Sequence, residues 1–114
     1  MGRDFSICNI ESTYKPVSAC MYTALSFIDN FDKSAESGTI TLHELSQAIY
    51  VLNVVCEQLE YGESIQGDIV QFKYSENEQR GSILDNCTNA KIKLMEALSE
   101  AVLCKYDSVA WDYS

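Results

Sequence analysis

The stretch between Thr41 and Gly62 is the feature that most limits how this chain can fold. Thr41, followed three residues later by Glu44, forms a capping box, the start signal of a helix, and Gly62 is a natural stop. One apolar face lies between them at three- and four-residue steps: Leu42, Leu45, Ala48, Ile49, Leu52, Val55, Cys56 and Leu59. A second stripe holds Tyr50, Val51, Val54 and Tyr61. The pattern predicts a helix over residues 41–61 that is buried on more than one side, inside a bundle or against another chain.

Two further segments have helical periodicity. Pro16 suits a first helical turn, and the apolar face that follows closes near Lys33: Val17, Cys20, Met21, Ala24, Leu25, Ile28 and Phe31. Ser82 is a good N-cap for a third helix that runs to about Tyr106. Its apolar face holds Ile83, Leu84, Cys87, Ala90, Leu94, Ala97, Leu98, Ala101 and Val102, while Ile92 and Leu103 point away from it. The spacing predicts helices over about residues 16–33 and 82–106.

These elements predict a mainly α fold, a three-helix bundle-like single domain over residues 1–114. A small two-stranded β element is an optional addition, because residues 68–74 and 4–10 are rich in strand formers. A short helix from Ser64 is the alternative for residues 64–74. The acidic and aromatic tail, residues 107–114, contains the only tryptophan, Trp111. It either packs back on the bundle or is a linear docking peptide, since tryptophan is enriched in binding hot spots.

Negative charge is concentrated in the middle of the chain. Residues 34–72 contain no Lys or Arg, in a protein whose net charge is −9. Such a segment repels nucleic acid and anionic membranes and favours a protein with a basic surface. Because Glu44 is assigned to the helix cap, the available acidity is predicted to lie at Glu57, Glu60, Glu63 and Asp68.

No pattern in the chain indicates catalysis, a cofactor or a metal centre. The five cysteines include no C-x-x-C pair, and His43 is the only histidine. Glycine-rich phosphate loops and basic stripes are also missing from the sequence. The odd number of cysteines, the lack of a signal peptide and the lack of a membrane-spanning apolar run predict a cytoplasmic protein with buried, reduced thiols.

One segment has a local resemblance to a known family. Phe31-Asp32-Lys33 precedes Gly38-Thr39-Ile40-Thr41, and Glu44 stands six residues after the glycine. Between two predicted helices, this arrangement resembles an EF-hand calcium loop, which implies ligands at Asp32, Ser34, Ser37, Thr41 and Glu44. Counting back from Gly38, however, places Lys33 and Ala35 where the family has oxygen donors. The same letters also describe a turn at Gly38, Ile40 as a hydrophobic staple, and the capping box.

The sequence therefore predicts a non-catalytic acidic interaction module that binds and modulates or inhibits a larger protein. Its predicted interaction residues are Glu57, Glu60, Glu63, Asp68, Tyr50, Val54 and Trp111. The second apolar stripe of residues 41–61 also predicts a homodimer. One alternative is a nucleic-acid mimic that blocks a basic groove. In that role the chain is similar, in size and charge only, to small acidic phage proteins that block host defence complexes. A degenerate EF-hand-like calcium binder is the more remote alternative.

Overall fold

The computed structural model describes residues 3–60 and 80–114, where three helices pack on one face of a four-stranded sheet. The elements in chain order are β1 (Phe5–Ile7), β2 (Ile10–Ser12), α1 (Lys15–Leu25), β3 (Ser37–Thr41), α2 (Leu42–Glu60), α3 (Arg80–Leu103) and β4 (Ser108–Tyr113). The strand order is β2-β1-β4-β3, and each neighbouring pair is antiparallel. β4 is therefore a central strand, while β2 and β3 form the two edges among the described strands.

The prediction of a mainly α bundle is wrong, because the fold is α+β with a complete antiparallel sheet. β1 and β2 have only three residues each, too few for alternation to stand out. The sheet also depends on a distant pairing that no local pattern signals, with Phe5 opposite Tyr113. Residues 68–74, expected to form either the second strand or a helix, lie outside the described residues.

The last segment of the chain is the central strand of this sheet. Its side chains alternate, so that Val109 and Trp111 are buried while Ser108, Ala110 and Asp112 are exposed. This period of two is typical of a strand with one face on a core. Trp111 therefore packs back on the domain, which was one of the two expectations, but it does so as part of a sheet strand rather than as a tail on a helical bundle.

α1 ends at Leu25 rather than near Lys33, the end that its apolar face predicts. Beyond it, the amides of Phe27 and Ile28 donate to carbonyls only three residues back, which indicates tight turns in place of α-helix. Asn30 has a φ of 62°, a left-handed conformation that interrupts a helix. Ile28 nevertheless stays buried, so the turns keep the apolar face in the core.

Aromatic rings fill the space between the sheet and α1. Tyr22 stacks on Tyr113 with ring centroids 4.5 Å apart, and Phe31 lies 5.3 Å from Trp111. The rings of Phe5 and Trp111 are nearly parallel, with centroids 6.2 Å apart. We call Phe5, Tyr22, Phe31, Trp111 and Tyr113 the aromatic cluster. The cluster lies close to β3, because a Cβ atom at Gly38 would lie 3.1 Å from Nε1 of Trp111.

Candidate interaction surface

α3 has an apolar stripe on the side that faces away from the core. Its inner side, which includes Cys87, Leu94 and Ala101, is fully buried against α1 and α2. On the outer side, 46% of Ile92, 48% of Met95 and 79% of Leu103 are exposed. Ile92, Met95 and Leu103 lie on one side of the helix, with Ser99 between Met95 and Leu103. The packing of α3 against α1 and α2 does not require these three exposed apolar side chains.

The hairpin of β1 and β2 lies beside this stripe. Its two turn residues, Cys8 and Asn9, have φ values of 48° and 68°, as a tight two-residue hairpin turn requires. Lys93 on α3 donates a hydrogen bond from Nζ to the carbonyl oxygen of Glu11, at 2.9 Å. This contact holds β2 against α3 and places Ile10 next to the apolar stripe.

Together the hairpin and the helix form a groove of about 490 Å³. Its apolar lining is Ile10, Ile92, Met95 and Leu103, and its polar lining is Glu96, Ser99 and Glu100. We call this surface the α3 groove. It combines an apolar floor with two carboxylates, a composition suited to a partner that is apolar and basic.

The electrostatic environment is negative where the α3 groove meets the hairpin turn. Cys104 donates from Sγ to a carboxylate oxygen of Glu100 at 3.6 Å. Burial raises the pKa of the Cys8 thiol, and the neighbouring charges of Glu100 and Cys104 raise it further. The pKa of Tyr106 is also raised, mainly by the charge of Cys104 and next by a side-chain hydrogen bond between Tyr106 and Cys104. A raised pKa favours the thiol form of Cys8 over the thiolate, which is the nucleophilic form.

Among the residues predicted for interaction, Tyr50, Val54 and Glu57 lie on α2, while Trp111 lies on β4. Tyr50 and Glu57 are exposed on α2, where Val54 is partly buried. Trp111 is only 4% exposed, because its ring lies within the aromatic cluster. The α2 residues do not line the α3 groove. Glu60 ends α2, but its side chain, Glu63 and Asp68 lie outside the described residues.

The EF-hand-like segment forms β3 and the start of α2. Thr41 and Glu44 form the predicted capping box: the Thr41 amide donates to Oε1 of Glu44 at 2.9 Å, and the Glu44 amide donates to Oγ1 of Thr41 at 3.1 Å. Asp32 accepts hydrogen bonds from the hydroxyl and amide of Ser34, which lower its pKa. Within residues 3–60 and 80–114, no group of three or more His, Cys, Asp or Glu is placed to hold a metal ion. The calcium alternative gains no support from this geometry.

Neither His43 nor the thiols form a catalytic arrangement in the described part of the chain. His43 is exposed on α2, where its Nε2 lies 3.3 Å from Nε2 of Gln47. The five cysteines all lie in described segments and form no disulfide. Cys20 and Cys87 have sulfur atoms 3.8 Å apart, in contact across α1 and α3. Among the described helices, none has the length and apolar character that crossing a membrane requires.

Sequence reasoning missed the α3 groove, although part of its signal is visible. Ile92, Met95, Ser99 and Leu103 are three or four residues apart, which is one face of a helix. The sequence reading assigned Val102 to the buried face, but this residue is 59% exposed because α3 extends past the core. Ile10 lines the α3 groove only because the hairpin packs beside α3, and no local sequence pattern indicates that packing.

Comparison with known proteins finds no match to a protein-family model, to a curated protein or to a solved structure. The functional interpretation therefore depends on the geometry and chemistry of this chain.

Proposed function

We propose that this protein is a non-catalytic interaction module that docks on a larger protein through the α3 groove and modulates or inhibits it. The observation that supports the proposal is that Ile92, Met95 and Leu103 are exposed on one side of α3, with Glu96 and Glu100 beside them. Exposed apolar surface of this kind tends to mark an interaction site in a monomeric protein. Binding would act by covering a surface that the partner needs.

The partner element that fits this groove best is a basic amphipathic helix. The stripe from Ile92 to Leu103 is about 17 Å long, or about three helical turns, so a partner helix could place an apolar face along it. Lys or Arg side chains at the rim of that helix would meet Glu96 and Glu100. A second copy of this chain fits less well, because two chains that each carry a net charge of −9 repel each other.

We also propose that the module works in a reducing compartment, the cytoplasm. All five cysteines lack disulfides even though Cys20 and Cys87 are in contact. The test is the mass of the protein purified from its native cell and alkylated without a reductant. Five alkyl groups are expected, whereas three would indicate a disulfide and an oxidising environment.

A titration with defined peptides tests the docking proposal. The probe is a labelled helical peptide of Leu and Lys with one apolar face, and its control has the same composition in scrambled order. Fluorescence anisotropy should show tighter binding of the amphipathic peptide. The double variant Met95→Ser with Leu103→Ser should weaken it by about tenfold or more, because apolar anchors contribute roughly 1–2 kcal/mol each.

Tyr50→Ser is the matched control, since it removes an exposed apolar side chain from α2 instead of α3. It should bind the peptide as the wild type does. Equal binding of the amphipathic and scrambled peptides would reduce the interaction to charge alone and contradict the proposal. So would an unchanged affinity in the α3 double variant.

Two expectations from the sequence stay predictions. A homodimer through Tyr50 and Val54 predicts that Val54→Glu converts a dimer to a monomer in sedimentation, and a wild-type monomer would exclude it. The nucleic-acid mimic requires the acidic patch, of which only Glu57 has a described side chain. That alternative predicts competition with nucleic acid for the partner, and loss of binding on charge reversal of Glu57, Glu60 and Glu63.

A further inference from the structure

The two edge strands of the sheet, β2 and β3, differ in how far other described residues cover them and bond to their outward backbone groups. At β2 the register places Ile7 opposite Ile10 across a tight turn, so the backbone of Glu11 points outward. Lys93 on α3 donates to the carbonyl oxygen of Glu11, and α3 packs against this strand. A short edge that is covered by a helix is protected from pairing with another chain.

β3 has a longer edge. The amide of Tyr113 donates to the carbonyl of Glu36 at 2.7 Å, and the amide of Leu42 donates to the carbonyl of Asp107 at 3.4 Å. Because hydrogen bonding alternates along antiparallel strands, the backbones of Gly38 and Ile40 also face β4. Those of Ser37, Thr39 and Thr41 face away.

Only one outward amide of β3 is satisfied by the described part of the chain. The amide of Thr41 donates to Glu44 in the capping box. For the outward backbone groups of Ser37 and Thr39, no hydrogen bond to another described residue is present. The residues of β3, Ser-Gly-Thr-Ile-Thr, include no charge and no proline, which are two of the features that protect an edge strand.

A cavity of about 310 Å³ lies beside this edge, between β3 and the turns after α1. We call it the edge pocket. Phe31 and Trp111 contribute aromatic surface to it, and Asp29, Asp32 and Glu44 contribute carboxylates. Among the described residues, no Lys or Arg lines it. Aromatic rings and carboxylates together suit the apolar stem and the cationic end of an Arg or Lys side chain.

We propose that β3 pairs with an extended peptide segment of another protein, which adds a fifth strand to the sheet and inserts an Arg or Lys side chain into the edge pocket. The backbone groups of Ser37 and Thr39 supply the strand pairing, and the edge pocket supplies the selection for a basic residue. This site is at the opposite edge of the sheet from the hairpin wall of the α3 groove. It therefore does not depend on the function proposed for that groove.

The test uses a short, capped peptide of alternating Thr and Val with one central Arg. Its matched control replaces Arg by citrulline, which has a similar shape and no charge. NMR titration and amide exchange of the full chain are the measurements. The Arg peptide should slow exchange of the Thr39 amide and bind about tenfold more tightly than the citrulline peptide, as the loss of a charged contact predicts.

Thr39→Pro tests the backbone pairing directly. It removes an outward N–H that β3 does not use for β4, a position where an edge strand tolerates proline. This variant should bind the Arg peptide at least tenfold more weakly, while Thr39→Val, which keeps the N–H, should bind as the wild type does. If Thr39→Pro does not fold, Asp29→Asn with Asp32→Asn should remove the preference for Arg over citrulline.

Several results would overturn the proposal. They are equal affinity of wild type and folded Thr39→Pro, equal affinity for Arg and citrulline peptides, exchange protection at α3 in place of β3, and no binding at millimolar peptide. A wild-type dimer that Thr39→Pro dissociates would make a second copy of the chain the occupant, and would also overturn it.

Discussion

The inner face of the sheet and the α3 groove are both apolar, but only the first is filled by the chain itself. On the sheet, rings from α1, β1 and β4 contact one another, and Trp111 is 4% exposed. Arg3 covers the rim, with its guanidinium carbon 4.1 Å from the ring centre of Tyr113 and a hydrogen bond of 2.6 Å to the Tyr113 carbonyl. The α3 groove is open over about 490 Å³.

The difference separates the residues that hold the fold from those that the fold leaves available. Apolar side chains in the aromatic cluster are removed from water when the chain folds, which stabilises it by about 25 cal/mol for each Å² buried. Leu103 remains exposed and gains little from folding. Substitutions in the aromatic cluster should therefore lower the free energy of unfolding, whereas substitutions in the α3 groove should weaken binding and leave the free energy of unfolding nearly unchanged.

Trp111→Ala should have the largest effect. It removes a buried side chain that contacts Phe5, Tyr22 and Phe31, so we expect the free energy of unfolding to fall by about 3–5 kcal/mol. Urea unfolding followed by far-ultraviolet circular dichroism measures it. Tyr50→Ala removes an exposed aromatic residue from α2 and should cost under about 1 kcal/mol. A similar loss in both variants would show that Trp111 stabilises the fold no more than an exposed aromatic residue does.

Adding side-chain volume should also have different effects in the two regions. Gly38→Ala places a methyl group 3.1 Å from Nε1 of Trp111, whose ring other aromatic residues hold in place. We expect a loss of about 1–3 kcal/mol from overpacking. Ser99→Leu adds more volume to the open α3 groove and should change stability by less than about 0.5 kcal/mol. If Gly38→Ala is neutral in urea unfolding, the aromatic cluster is not closely packed.

Tyr22→Phe should cost about 1 kcal/mol at neutral pH, because the hydroxyl of Tyr22 lies 3.0 Å from the Lys33 carbonyl and 3.1 Å from the Ala35 carbonyl. Burial raises the pKa of Tyr22, and the folded state therefore favours the neutral phenol. That stability is present below the pKa of an unfolded tyrosine, about 10, and is lost as the pH rises through the higher folded value.

Urea unfolding at a series of pH values tests this linkage. The stability difference between wild type and Tyr22→Phe should narrow as the pH rises from about 9 to about 11, since the variant has no phenol to ionise at this position. A constant difference over that range would show that the Tyr22 hydroxyl does not experience burial in the aromatic cluster.

Leu103→Ser should have the smallest effect on stability, within about 0.5 kcal/mol, because 79% of the leucine is already exposed. The same change should weaken binding of an amphipathic basic peptide. Thermal unfolding and peptide titration on one preparation measure both quantities. A large loss of stability would show that Leu103 stabilises the fold and is not simply an exposed residue available for binding.

The sequence carries much of the information for the helices because their signals are local. The capping box of Thr41 and Glu44 forms with both expected hydrogen bonds, and α2 begins at Leu42. The end of α1 was less visible, since Ile28 continues the apolar spacing although the helix has ended. Periodicity reports which side chains are buried, and at this point turns bury them as well as a helix does.

The sheet and the two proposed sites depend on contacts that a local pattern does not specify. The alternation of Val109 and Trp111 is consistent with a strand, but the pairing partners of that strand lie far back in the chain, at Phe5–Ile7 and Ser37–Thr41. Likewise, the α3 groove needs Ile10 from the hairpin, and the edge pocket needs β3 next to the turns after α1. Such contacts follow only from the tertiary fold.

Because β4 is a central strand and follows the other elements in the chain, the sheet cannot form completely until β4 has been synthesised. A ribosome makes α1, α2 and α3 before Ser108–Tyr113, and the helices can form by local contacts as they emerge. β1 and β3 are not neighbours, so the strand that joins them must arrive before the sheet can close. Until then Phe5, Tyr22 and Phe31 lack the ring of Trp111, and the nascent chain exposes an apolar surface to which a chaperone could bind.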